Sequence, residues 1–168
     1  TGGSKVFKIV GQFSTKKFIR IKMHIIKNSN ILVAIQFIII FILLLINKSI
    51  FNNYISLIIS SIGFIFGLYT LFFNRIGNFN VRPEIKSNAK LISTGAYKYI
   101  RHPMYFCVLL IMGGVIISDI NLINIICYSI LIMVLYLKAK KEEMLWSKKL
   151  EKYESYKKRT KMFIPFIL

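Results

Sequence analysis

The 168-residue sequence predicts an all-α, multi-span integral membrane protein with about four transmembrane helices, the last two forming a helical hairpin, plus a cytoplasmic interfacial helix. Three observations carry this. The chain is 55% hydrophobic with a mean hydropathy of +0.60, and its apolar residues fall in long, nearly uninterrupted runs. The charges, 24 Lys+Arg against 6 Asp+Glu for a net +18, lie largely outside those runs. The basic residues also alternate in density from one connection to the next. A nucleic-acid-binding domain would spread its basic residues through a water-soluble fold, so that class is set aside.

Taken in order, Thr1-Gly2-Gly3-Ser4 reads as a tag remnant or a trimmed start and is left out of the fold reading. Segment 1–30 is basic, with Lys16, Lys17, Arg20, Lys22 and Lys27, and is expected on the cytoplasmic side. Two transmembrane helices are expected in 31–73. The first run, 31–46, holds one polar residue, Gln36, and is near the lower length limit for a span. The second, 54–73, contains Gly63 and Gly67, a GxxxG spacing that lets another helix approach closely. Residues 74–168 follow as the functional core: a cytoplasmic loop, a transmembrane hairpin over 103–138 and a C-terminal cytoplasmic helix. The hairpin turns at Ser118-Asp119-Ile120-Asn121, a break short enough to require antiparallel neighbours. Cys107 and Cys127 sit at different depths of that hairpin, so no bridge between them is expected.

Basic residues set the expected topology, because Lys and Arg are retained on the cytoplasmic side. The connection 47–53 has only Lys48, and the turn at Asp119 has no basic residue; segment 74–102 carries Arg75, Arg82, Lys86, Lys90, Lys98 and Arg101, and everything from Lys138 onward is basic again. Both termini are therefore expected in the cytoplasm, with 74–102 and 138–168 on one membrane face. Glu142, Trp146, Leu150 and Tyr153 recur at spacings of four, four and three and form one stripe of the expected interfacial helix. The final Phe163-Ile164-Pro165-Phe166-Ile167-Leu168 is apolar and must pack on protein or enter lipid.

Two polar clusters thus share a face: Arg101-His102-Pro103-Met104-Tyr105 and Glu142-Glu143. The acid pair has a plain reading as helix-surface salt bridging to Lys138 and Lys140. It has a sharper one in which Glu142, on the protected stripe, holds a cationic or hydroxyl-bearing ligand such as a sulfonium cofactor. His24 reads as an ordinary interfacial histidine. His102 has better company: Pro103 suits a first helical turn, and the unsatisfied backbone donors there, with Arg101, offer an anion site. No His/Cys/Asp/Glu set has metal-ligand spacing, no Ser-His-acid arrangement can be argued, and no glycine-rich phosphate loop occurs.

Leu91-Ile92-Ser93-Thr94-Gly95-Ala96-Tyr97, then Tyr99-Ile100-Arg101-His102-Pro103-Met104-Tyr105, an apolar hairpin, Glu142-Glu143, Tyr153, Tyr156 and Ile164-Pro165 resemble the isoprenylcysteine carboxyl methyltransferase family over about 78–165. Membrane phospholipid methyltransferases share part of the pattern. The resemblance implies a membrane enzyme using S-adenosyl-L-methionine. It implies cofactor contacts from Lys90, Leu91, Ile92, Tyr97, His102, Pro103, Met104, Tyr105, Glu142 and Glu143, catalytic roles for Arg101 and Glu142, and a substrate-binding role for Lys138. Lys138 stands where eukaryotic members are expected to carry Arg, and Leu150-Glu151-Lys152-Tyr153 lacks the Phe-Gly usual before the first Tyr.

A carboxylate acceptor is nucleophilic at neutral pH and needs only positioning, whereas an amine must lose a proton; the expectation is therefore O-methylation of an isoprenylcysteine-like or other lipidic acceptor. Phospholipid N-methylation and a non-enzymatic scaffold gripping anionic lipid are the alternatives. The richness in Ile, Lys and Asn hints at an AT-rich microbial genome, hence a bacterial cytoplasmic membrane.

Overall fold

The computed structural model describes residues 28–74, 81–85 and 89–164. The basic cluster of segment 1–30 up to Lys27, with His24, lies outside the described residues, as do Arg75, Lys86 and the apolar end from Pro165. Helix α1 is Ser29–Ile46, α2 Tyr54–Asn74, α3 Pro103–Ile117, α4 Leu122–Lys149 and α5 Tyr153–Arg159. Short 3-10 turns occupy Lys48–Asn52 and Gly95–Lys98, and among the described residues there is no strand beyond one isolated bridge.

Three helices, α1, α2 and α4, are long and apolar enough to cross a membrane. The third expected span is shorter than the hairpin reading requires: α3 has 15 residues, about 22 Å at 1.5 Å per residue, against about 20 residues for a full crossing. Conversely, α4 has 28 residues and runs about 42 Å, so it carries the second polar cluster on the same rod as its apolar part. The expected stripe from Glu142 through Tyr153 does not stay helical. Leu150 turns extended, with φ −142° and ψ 111°, and α5 starts afresh at Tyr153.

Polar pairs fix α1 antiparallel to α4. Asn47 and Asn124 exchange amide hydrogen bonds at one end (3.0 and 2.7 Å), Gln36 accepts from Lys138 further along, and Lys141 donates to Ser29 at 2.7 Å at the other end. Between them, Leu32, Ile39 and Leu43 of α1 and Leu131 and Leu135 of α4 are buried. The α1 positions are spaced by threes and fours, a seam only one stripe wide. Phe37, Phe41, Leu44 and Leu45 on the rest of α1 are half or more exposed, as a lipid-facing surface should be.

The GxxxG expectation is met at the α2–α3 contact. A Cβ on Gly63 would come within 2.9 Å of the Ile111 backbone nitrogen and of Leu110 Cβ, and one on Gly114 would meet Ser60 and the Ser56 carbonyl. Small residues at 56, 60, 63 and 67 let the backbones touch, and Ser60 Oγ donates to the Ile111 carbonyl at 3.1 Å. Helices α3 and α4 form the expected hairpin, turned at Asn121, whose side chain caps α4 by accepting from Asn124 N. Cys107 and Cys127 are free thiols.

Candidate active site

The 89–102 segment reaches the site through one forced backbone turn. Gly95 has φ +58°, a conformation side chains rarely tolerate, and a Cβ there would strike the Phe73 ring at the end of α2. Beyond it, 99–102 runs beside 161–162: Arg101 N donates to Lys161 O (2.8 Å), Lys161 N to Tyr99 O (2.9 Å) and His102 N to Met162 O (3.1 Å). The C-terminal segment therefore braces the Arg-His pair, and Met162 and Phe163 are buried against Ala139.

Pro103 opens α3, so Tyr105 projects from its first turn toward α4. There the tyrosine hydroxyl donates to Glu142 Oε1, and His102 Nδ1 lies 3.4 Å from Glu142 Oε2. The His102 and Tyr105 rings are near-parallel, with centroids 5.5 Å apart. Burial opposes a charge on His102, but the bonds and charges of Glu142 and Glu143 outweigh it and hold the imidazole above its ordinary value of 6.5. Burial pushes Tyr97, Tyr153 and Tyr156 well up, with Glu142 adding at Tyr97, Glu143 adding at Tyr153 and Arg101 opposing at Tyr156, so their hydroxyls stay neutral donors; that of Tyr156 donates to Tyr97 O at 2.7 Å.

These residues wall a cavity of about 310 Å³, within the range of about 300–1,000 Å³ for small-molecule sites. Lys90, Leu91, Ile92, Tyr97, Arg101, His102, Pro103, Met104, Tyr105, Lys138 and Glu142 all line it. Glu143 does not. Successive helical residues point about 100° apart, and of the two adjacent acids only Glu142 is turned toward the cavity. The Glu143 carboxylate, 3% exposed, is aimed instead at Arg101 Nε at 2.7 Å, with His102 Nε2 at 3.5 Å and Lys157 Nζ at 3.9 Å. The salt bridges expected from Lys138 and Lys140 are thus replaced by long-range partners. Arg101 lines the cavity while its Nε donates to Glu143 and its Nη1 to the carbonyls of Lys157 and Thr160, so part of the guanidinium expected to bind an anion at the start of α3 is engaged within the protein.

Several lining residues were not singled out by the sequence. Gln36, Phe37 and Ile40 come from α1, and Asn74 from the end of α2; Trp146, read only as an interfacial stripe residue, stacks here on Tyr153, a stripe residue that also belongs to the family pattern, with centroids 6.2 Å apart. Gln36 had a signal, being the one polar side chain in an apolar run. Lys138 is 1% exposed; its ammonium donates to Gln36 Oε1 and sits 5.0 Å over the Tyr105 ring.

Long apolar helices around a cavity that joins a half-buried acid and buried imidazole and ammonium groups to aliphatic walls define a membrane protein with a small-molecule site. The chain matches the isoprenylcysteine carboxyl methyltransferase family over residues 56–147, more than half its length, and belongs to that family; it is a membrane methyltransferase. The match takes in α2, which the sequence reading treated as generic membrane helix, and stops before Tyr153 and Tyr156. Neither a search of curated proteins nor one of solved structures finds a match.

Proposed function

We propose that this methyltransferase moves a methyl group from S-adenosyl-L-methionine to the carboxylate of a lipidic acceptor of the isoprenylcysteine type. The observation that carries the choice of acceptor is Lys138, a buried cation lining the cavity with no carboxylate within 4 Å among the described residues. Glu142 acts on this ammonium only from a distance, so an anionic acceptor group would supply a countercharge in contact, whereas an amine would bring a second cation to it.

The cavity suits the cofactor in size and in donor set. Glu142 offers a carboxylate, held by His102 and Tyr105, to a cationic group, and Tyr97, Trp146 and Tyr153 supply aromatic walls. The bound cofactor would supply a sulfonium-activated methyl, so the chain's task is alignment and exclusion of water. Lys90, Leu91 and Ile92 close the loop side, and Pro103 and Met104 the start of α3. Lys138 orients the acceptor carboxylate, which needs no general base, while Phe37, Ile40 and Val108 offer an apolar wall to its lipid chain. Arg101 and Glu143 act from behind, as positioning residues for His102. The charge asymmetry supports an orientation with this end of the bundle in the cytoplasm, and the composition a bacterial cytoplasmic membrane.

Purified protein is to be given labelled S-adenosylmethionine with N-acetyl-S-farnesylcysteine or with phosphatidylethanolamine. Base-labile label in the first is expected. Label in the phospholipid alone would overturn the carboxylate reading, and failure to bind S-adenosylhomocysteine would favour a lipid-binding scaffold.

A further inference from the structure

Gln36 lies outside the family match, on a helix facing lipid over most of its surface, yet it is 6% exposed and lines the cavity. A buried amide at this depth is costly unless it is paired, and its Oε1 is paired: it accepts from the Lys138 ammonium. The ammonium has three N–H donors. One goes to Gln36, and the Tyr105 ring lies 5.0 Å away as a cation–π contact, which leaves donors for a ligand in the cavity. Gln36 therefore fixes where the charge sits without neutralising it. An acid at the same place would accept the same hydrogen bond but cancel the cation.

We propose that Gln36 is the specificity-determining positioning residue of the acceptor site: it anchors the Lys138 ammonium with no carboxylate in contact, so that the cavity takes an acceptor with a carboxylate beside its lipid chain. This rests on the carboxyl-methylation reading above. Its new content is that α1 sets acceptor class, through one neutral side chain.

The test uses the full chain in detergent, with Gln36→Glu and Gln36→Met. In Gln36→Glu the introduced carboxylate keeps the hydrogen bond and makes an ion pair, so the thermal midpoint should match or exceed wild type. S-adenosylhomocysteine affinity should stay within about twofold of wild type. KM for N-acetyl-S-farnesylcysteine should rise about tenfold or more, since a charge-assisted contact is lost, with the effect concentrated in KM rather than kcat. A purely structural role predicts the opposite pattern, rescue by Gln36→Glu. Gln36→Met, which frees the ammonium to wander, should also raise KM, and it decides the matter alone if Gln36→Glu does not fold. Wild-type KM in the folded variants, with wild type active on the carboxylate, overturns the inference and leaves the carboxylate reading standing. Transfer by wild type to phosphatidylethanolamine alone removes both.

Discussion

Replacing Arg101 by Met should unfold this protein well before it alters the chemistry. The Arg101 and Glu143 side chains are 9% and 3% exposed, with Nε and Oε1 at 2.7 Å. Removing one partner of such a pair costs about 3–5 kcal/mol, because the other charge stays buried. Two features move the figure. The Glu143 carboxylate keeps His102 at 3.5 Å and Lys157 at 3.9 Å, which softens the loss. The carbonyls of Lys157 and Thr160 lose a charged donor, which adds about 1 kcal/mol or more. An expected loss of about 3–5 kcal/mol therefore stands, or a fall in thermal midpoint of roughly 2–4 °C per kcal/mol for a chain of this size.

The double variant Arg101→Met/Glu143→Leu removes both charges and should lose clearly less than the two singles combined, with a coupling of about 2 kcal/mol or more. Denaturation midpoints of the four proteins in one detergent measure this, with S-adenosylhomocysteine binding followed in parallel. Two results would refute the reasoning. Additivity within about 0.5 kcal/mol would mean that the pair is not coupled. A stable Arg101→Met protein that has lost only kcat would make Arg101 a catalytic residue rather than a clamp.

Glu142→Gln should weaken S-adenosylhomocysteine binding about tenfold or more by calorimetry, through loss of a half-buried carboxylate with two oriented partners; unchanged binding would remove Glu142 from the proposed cofactor site. His102 gains protons on folding, since its value is raised above 6.5, so its contribution to stability is fully present below about pH 6.5 and is lost as pH rises through the raised value. The stability gap between wild type and His102→Gln should accordingly narrow from pH 6 upward, and a gap that widens would reverse the sign of the assignment. Gly63→Ala should lower the thermal midpoint by the equivalent of about 1–3 kcal/mol, because its Cβ meets the Ile111 backbone nitrogen at 2.9 Å, whereas Gly67→Ala, meeting Cys107 at 3.7 Å, should be nearly silent. Equal effects at the two glycines would mean that α2 and α3 are not in the register described.

Much of the scaffold was legible because bilayer-length apolar runs and charge asymmetry report membrane helices directly. Small residues at turn spacing did the same for the α2–α3 contact. The break at Leu150 was not legible. Trp146 and Tyr153 keep helical spacing in sequence, and they do meet, but by stacking across a bend rather than along one helix. The partners of the two acids were hidden for a different reason. Local rules pair a glutamate with a lysine three or four residues away, while Glu143 reaches 42 residues back to Arg101 and Glu142 reaches 37 back to Tyr105. Such pairings follow from the hairpin's register, and an apolar hairpin turned by four residues does not print its register in a single sequence.

The parts of the site inside the family match and those outside it do different work. Within 56–147 lie His102, Tyr105, Lys138 and Glu142, the polar groups that can hold a charged cofactor and an acceptor carboxylate. Outside it lie Gln36, Phe37 and Ile40 of α1, and Tyr153, Tyr156 and Thr160 of the tail, which wall the cavity or tie down the segment bearing Arg101 and His102. If the donor is the proposed S-adenosylmethionine, its sulfonium methyl is already activated, so the polar core alone gains little unless water is kept out and the acceptor is aligned. Those two tasks fall to the flanks. The tail holds the segment bearing Arg101 and His102 by backbone pairing and by the Tyr156 hydroxyl on Tyr97 O, contacts that fix position rather than choose an acceptor. Helix α1 meets the cavity through particular side chains, one of them polar and touching the only buried lysine among the described residues. Substitutions on the cavity face of α1 should therefore change which acceptor is methylated, and substitutions in the tail should change how firmly the site is held.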